Sequence, residues 1–214
     1  MKLNLTKSLK YSMRGKLYRF LFSILLSIYT ISSFSQHNVV YNDVGYYYDE
    51  DKGIAYVQSV SPSLPNVVIP KHLSFDYYLR NYMGTIYDTI YVDADVVRIV
   101  GGALADSNIE TIDIQAKVII EQGAFRGCKK LTDVTFSLSG GVSELRFNAF
   151  KDCINLTNVH WGNNSTLTKI DDSTFKGCTS LKSISLPQSI DSIEYDAFYN
   201  CTGLTTVNFT QKLK

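Results

Sequence analysis

Four cysteines punctuate the chain at Cys128, Cys153, Cys178 and Cys201, at intervals of 25, 25 and 23 residues. A fixed period of this size marks a solenoid, in which each coil repeats the side-chain environments of its neighbour. Each cysteine closes the same phrase: Ala124-Phe125-Arg126-Gly127-Cys128, Ala149-Phe150-Lys151-Asp152-Cys153, Thr174-Phe175-Lys176-Gly177-Cys178 and Ala197-Phe198-Tyr199-Asn200-Cys201. An aliphatic residue stands five places before each phenylalanine (Ile120, Leu145, Ile170, Ile193). A leucine follows three places after each cysteine (Leu131, Leu156, Leu181, Leu204). The phrase then alternates, as in Leu131-x-x-Val134-x-Phe136, Leu156-x-x-Val159-x-Trp161, Leu181-x-x-Ile184-x-Leu186 and Leu204-x-x-Val207-x-Phe209. Period-two alternation is the pattern of a short strand with one face buried.

The other positions also have physical reasons. A phenylalanine on the opposite arm of the coil fills the space between backbone layers. The residue before each cysteine is Gly127, Asp152, Gly177 or Asn200, types that tolerate a left-handed backbone, so the arm is expected to be a short helical turn ending there. One repeat cannot bury its apolar edge alone, and stacking neighbours builds a continuous core.

This phrase resembles the BspA-type leucine-rich repeat family, a class of exported and surface-attached proteins, chiefly bacterial. The resemblance is specific over residues 118–209, with Thr174 in place of alanine and Trp161 in place of a smaller strand residue. It decays upstream. Ile99 to Leu104 and Ile109-x-x-Ile112-x-Ile114 read as a degenerate copy, with Ser107 near the cysteine position and one residue deleted, and Tyr87 to Val92 reads as the strand of a weaker copy. The resemblance implies a leucine-rich-repeat solenoid: an α+β repeat with short parallel strands on a concave sheet, preceded by a β-hairpin-type N-terminal cap.

The cysteines admit two readings. An even number in an exported chain suits disulfides, and equivalent positions in adjacent coils, about 5 Å apart, lie within bridging range. Their place in the phrase is interior, however, where a thiol packs as a small hydrophobe, and the family's cysteine is a stacking core residue. Four free, buried thiols are the expectation.

Charge separates the first 35 residues from the rest. They hold six basic side chains (Lys2, Lys7, Lys10, Arg14, Lys16, Arg19) and no acidic one, followed by the apolar run Phe20 to Tyr29 and by Ser33 and Ser35. A positive region, a short apolar core and small residues at a cut describe a secretory signal peptide, with cleavage before Gln36. An uncleaved anchor is the alternative, but the stretch falls short of the roughly 18–20 residues that span a membrane. Residues 36–214 keep 15 of the 21 basic side chains against all 20 acidic ones, a net of about −5. That balance disfavours nucleic acid and anionic membrane surfaces as partners.

The expected organisation is a signal peptide at 1–35, a β cap region at 36–85, degenerate repeats at 86–117 and four leucine-rich repeats of 23–25 residues at 118–214. In the cap region, Gly45 to Gln58 reads as a hairpin turning at Asp49 to Gly53, and Val67-Val68-Ile69 as a further strand. Ten of the 15 tyrosines fall between Tyr41 and Tyr91, suited to covering an edge or to forming an aromatic platform.

Chemistry-bearing motifs are absent. The three histidines, His37, His72 and His160, are far apart, and no zinc, nucleophile or phosphate-loop spacing occurs. Gly101-Gly102 reads as a turn, and Asp171-Asp172 lacks the alternating spacing of a calcium loop. The expectation is a non-enzymatic protein without metal or cofactor. In the family geometry the side chains between the apolar strand residues face outward: Thr111, Asp113, Asp133, Thr135, Asn158, His160, Ser183, Ser185, Thr206 and Asn208. The resemblance implies protein recognition or adhesion at the cell surface through this stripe, the partner being a macromolecule and a protein before a glycan. The alternatives are carbohydrate binding through Tyr46, Tyr47 and Tyr48, and a structural spacer that self-associates through its C-terminal coil.

Overall fold

The computed structural model describes residues 36–80, 86–137 and 140–209. The expected signal peptide lies outside the described residues. The chain alternates between two sheet systems, as a coil with two strand-bearing sides must. On one side run β1 (Gln36–Tyr41), β2 (Val44–Asp49), β3 (Ile54–Val60), β6 (Ile86–Ile99), β8 (Lys117–Ile120) and β10 (Gly141–Leu145), hydrogen-bonded in that order. On the other, β4 (Asn66–Ile69), β7 (Thr111–Ile114), β9 (Asp133–Phe136) and β11 (Asn158–His160) are bonded in series. Two further parallel pairs carry the pattern on: β12 (Lys169–Ile170) with β14 (Ser192–Ile193), and β13 (Ser183–Ser185) with β15 (Thr206–Asn208).

The alternating phrase forms the second system, with Ile112, Val134 and Ile184 buried between outward neighbours. The aliphatics before each phenylalanine, Ile120, Leu145, Ile170 and Ile193, end β8, β10, β12 and β14. Sequence reasoning placed these residues inside but missed their strands. Runs of two to five residues carry too little periodicity to announce a strand.

Between the two sides lies the Phe–Cys arm. Among the described residues it contains no helix, which corrects the expected helical turn and the α component of an α+β repeat. In its place are successive three-residue turns: Ala124 N–H to Glu121 O at 3.2 Å, Arg126 N–H to Gly123 O at 3.0 Å and Cys128 N–H to Phe125 O at 3.2 Å. The intervening donors point to the next coil, Phe125 N–H to Ala149 O at 2.9 Å and Gly127 N–H to Lys151 O at 2.8 Å. A helix would consume those donors internally. Left-handed backbone also recurs twice per arm, at Gly123, Asn148, Ser173 and Asp196 as well as at Gly127, Asp152, Gly177 and Asn200. Only the second series was expected, and two interruptions leave no room for a helical turn.

The core is a set of columns. Phe125, Phe150, Phe175 and Phe198 stack with ring centroids 4.8, 5.5 and 5.4 Å apart. The four cysteines are free and buried. Each thiol donates to a main-chain carbonyl one coil back: Cys128 to Leu104 at 2.9 Å, Cys153 to Phe125 at 3.0 Å, Cys178 to Phe150 at 3.2 Å and Cys201 to Phe175 at 3.0 Å. A small apolar group with one weak donor suits that place, since it fills the layer and satisfies the carbonyl. Burial pushes the thiols of Cys153, Cys178 and Cys201 up. One coil upstream, Ser107 Oγ lies 3.4 Å from Cys128 Sγ, in the cysteine's place. Thr174, in alanine's place, is buried with its hydroxyl donating to Asp171 O at 2.7 Å.

The N-terminal part holds two departures from expectation. β2 and β3 pair antiparallel as the expected hairpin, but β3 also pairs parallel with β6 and β4 parallel with β7. Residues 54–69 thus form a coil of their own in which Ser61 to Pro65 replaces the Phe–Cys arm. Tyr87 to Val92, expected as the strand of a weak copy, instead lies in β6 where it pairs antiparallel with β5 (His72–Arg80), Ile90 opposite Tyr77. The alternation is the same either way, and only the partner strand distinguishes them.

At the base of that pair, the His72 ring bridges two carboxylates, Nδ1 to Asp95 at 2.9 Å and Nε2 to Asp93 at 2.8 Å. The Asp95 hydrogen bond, with Asp93 adding to it and slight burial opposing, raises the imidazole above its usual 6.5. A raised folded-state value means the imidazolium stabilises the fold fully below the unfolded value, and that this support is lost as pH rises through the folded one. All three side chains are about half exposed, so screening keeps the contribution under about 1 kcal/mol. His72→Gln should therefore lower stability at pH 5 and match the parent at pH 9, measured by urea denaturation. An equal deficit at both pH values would remove the bridge from the account.

Candidate functional site

Parallel pairing in register places the outward side chains of β4, β7, β9 and β11 in two columns. Asn66, Thr111, Asp133 and Asn158 stand side by side, and Val68, Asp113, Thr135 and His160 form the second column. Ser183 with Thr206, and Ser185 with Asn208, continue the arrangement on β13 and β15. The structure thus brings Thr111, Asp113, Asp133, Thr135, Asn158 and His160 onto one face of one sheet, and Ser183, Ser185, Thr206 and Asn208 onto a two-stranded continuation. The first four of these ten are half-buried and the other six exposed. Sequence reasoning missed Asn66 and the exposed Val68. Their strand belongs to a coil without the Phe–Cys phrase, so no repeat signal pointed to it.

Lateral hydrogen bonds tie the columns together. Thr111 Oγ1 donates to Asn66 Oδ1 at 2.8 Å, Asn158 Nδ2 to Asp133 Oδ1 at 2.6 Å and Asn208 Nδ2 to Ser185 Oγ at 3.2 Å. Asp113 accepts from Ser137 Oγ on one oxygen and from Gln115 Nε2 at 3.1 Å on the other. Hydrogen bonds from Thr132 and Asn158 hold the Asp133 carboxyl below its usual range. Side chains restrained in this way lose less entropy when a partner docks. The columns contain two acids and no lysine or arginine.

Two other surfaces qualify the reading. Of the tyrosine platform, Tyr46 and Tyr48 are buried and pack in the core, so Tyr46, Tyr47 and Tyr48 do not form an aromatic platform; Tyr47 instead tilts against Tyr56 at 5.8 Å. Strand alternation sends residues 46 and 48 to one face and 47 to the other. On the last coil Tyr195 and Tyr199 are 79% and 60% exposed.

On the first sheet system, Glu121 meets Arg98 and a main-chain donor, Gly101 N–H at 2.9 Å, with Arg146 3.8 Å away. Burial raises the Glu121 carboxyl, and these partners outweigh it to hold the group below its usual range. The cluster links three successive coils and is a structural tie. Among the described residues no group of histidine, cysteine and carboxylate side chains has metal-binding geometry, and no helix is long and apolar enough to cross a membrane.

Comparison with known proteins bears on these coils directly. The BspA type leucine-rich repeat region matches residues 97–214 in six copies. The fold is similar to that of a leucine-rich repeat protein of T. pallidum, with 20% identity and a TM-score of 0.58 over 83% of this chain and 70% of that one. A leucine-rich repeat protein of Bacteroides ovatus shares 25% identity with a TM-score of 0.62, over 80% of this chain but 41% of its own length. A leucine-rich cell surface protein of Faecalibacterium prausnitzii shares 16% identity with a TM-score of 0.50, over 83% of this chain and 56% of that one. No curated protein matches the chain. With the repeat recognised over more than half of the sequence and its phenylalanines and cysteines stacked coil upon coil, the chain belongs to the BspA-type leucine-rich repeat family.

Proposed function

We propose that this is an exported, surface-exposed binding protein that recognises a protein partner through the outward face of β4, β7, β9 and β11 and its continuation on β13 and β15. The observation that carries this reading is the pair of in-register columns, in which Asp133 with Asn158 and Thr135 with His160 stand side by side on adjacent strands, the first pair hydrogen-bonded. A repeat scaffold makes such a face rigid and extended, which suits macromolecular recognition. Export rests on the basic and then apolar segment at 1–35, and surface location is supported by the description of the F. prausnitzii relative as a cell surface protein. The strands β1 to β3 act as the N-terminal cap, β3 pairing parallel with the side of β6 away from β8 and β2 and β1 extending the sheet antiparallel beyond it. The role is binding and not catalysis.

The test is capture. Residues 36–214 immobilised on beads should retain specific partner proteins from host or cell-surface extracts. Replacing Asp133, Thr135, His160 and Ser185 together by alanine should abolish that retention while the protein stays folded, with a far-UV circular dichroism spectrum like the parent's. Retention that survives the fourfold replacement would overturn the assignment of the face.

A further inference from the structure

Both strand systems are interrupted at the same junction. No ladder joins β11 to β13, and none joins β10 to β12. The intervening arms stay bonded, with Asn148 N–H to Asp172 O at 3.1 Å, Phe150 N–H to Thr174 O at 2.9 Å and Asp152 N–H to Lys176 O at 2.8 Å. The two coils are therefore held together along the turn side, and at Val142 by Thr166 N–H at 3.0 Å, while no ladder joins their strands. Eight residues, 161–168, connect β11 to β12, whereas four, 137–140, connect β9 to β10.

On the β11 side, between 159–165 and 185–189, lies an open surface cleft of about 650 Å³. Its walls include His160, Trp161, Asn163, Ser185, Pro187 and Gln188, and none of its lining residues is Asp, Glu, Lys or Arg. The corresponding space on the β10 side is smaller, about 230 Å³, and is lined by Glu144, Arg146, Lys169 and Asp171 among others. The contrast in charge selects the kind of ligand. We propose that the cleft between β11 and β13 binds a neutral saccharide.

Three features lead there. Phe136 covers one face of the Trp161 indole, with centroids 5.6 Å apart and planes 6° from parallel, and Trp161 itself lines the cleft. The broken ladder leaves main-chain groups on the facing edges of β11 and β13 without sheet partners. Asn163 and Gln188 add side chains that both donate and accept. An ion would find no counter-charge here, and a wholly apolar ligand would strand the amides. A sugar presents apolar C–H faces to a ring and hydroxyls to amides and main chain, so it answers both parts of the lining.

This inference goes beyond protein recognition and is tested apart from it. The chain has one tryptophan, Trp161, so selectively excited tryptophan emission reports on the cleft. Maltose, cellobiose, lactose and chitobiose are titrated into the protein one at a time. At least one should shift the emission saturably, with a midpoint in the millimolar range, equally at low and high salt because the lining is uncharged. Asn163→Ala and Gln188→Ala, both at exposed positions, should each raise that midpoint about tenfold, the loss of roughly one hydrogen bond. An emission spectrum unmoved by all four sugars overturns the proposal, and so does a shift that survives both substitutions. Asp133→Ala with Thr135→Ala, on the protein-binding face but outside the cleft lining, should leave the titration unchanged, so either reading can fail without the other.

Discussion

Phe150→Ala should destabilise the protein by about 3–5 kcal/mol, the range for removing a buried aromatic ring from a core. Phe150 is fully buried, and its ring is stacked between Phe125 at 4.8 Å and Phe175 at 5.5 Å. Truncation empties a place whose two neighbours belong to adjacent coils, and the backbone cannot collapse into it. The intercoil bonds Phe125 N–H to Ala149 O and Phe150 N–H to Thr174 O, both 2.9 Å, hold the spacing. Stacked pairs add about 0.5–1.5 kcal/mol each beyond burial, and this substitution removes two. Phe198→Ala, at the end of the column with one stacked neighbour and partial exposure, should cost less than half as much. Solenoid stability is approximately a sum of nearest-neighbour interfaces, so the Phe150 variant should also unfold over a broader denaturant range as the two sides decouple. Equal costs at the two positions would show that the column is not what couples the coils.

The second large effect is expected at Gly162. A β-carbon there would lie 2.5 Å from Gly140 O and 2.6 Å from Ser137 O, and at Gly140 it would lie 2.6 Å from Ile114 O. These contacts are all with backbone, so no side chain can swing aside. The glycines are needed for close approach of successive coils at one corner and not for an unusual φ. Gly162→Ala should cost about 1–3 kcal/mol, as overpacking does, and should disturb the loop that carries Asn163. Gly102 provides the contrast. It has φ +71°, and a β-carbon added there would meet nothing within 4 Å, so Gly102→Ala meets only the left-handed backbone penalty, about 1–2 kcal/mol. Thermal denaturation of the two variants measures both. Restoration of Gly162→Ala stability by a further change at Ser137 would be unexpected, because the clash there is with the carbonyl oxygen.

Tyr46, Tyr47 and Tyr48 show where the reading of residues reached its limit. Composition located the tyrosine cluster but not which rings face inward. That depends on the pairing of β2 with both β1 and β3, and the core takes Tyr46 and Tyr48. Burial also drives the Tyr46 phenol above its ordinary range. Similarly, the phrase ending in each cysteine identified the interior positions but not the arm's conformation. Donors such as Phe125 N–H and Gly127 N–H go to the next coil, and nothing local in the sequence distinguishes that from a helical turn.

By itself the sequence determined the period, the interior place of the phenylalanines and thiols, and the outward set from Thr111 to Asn208. Each of these is a local pattern repeated at fixed spacing, and repetition multiplies a weak local signal. Only the tertiary structure decided which strands pair: β4 with β7, β5 with β6, and no ladder between β11 and β13 or between β10 and β12. Strand pairing depends on backbone groups far apart in the chain, and alternation looks the same whatever the partner. The outward placement of these ten strand residues was therefore legible in advance. The cleft beside Trp161 was not, because it is made by a ladder that stops.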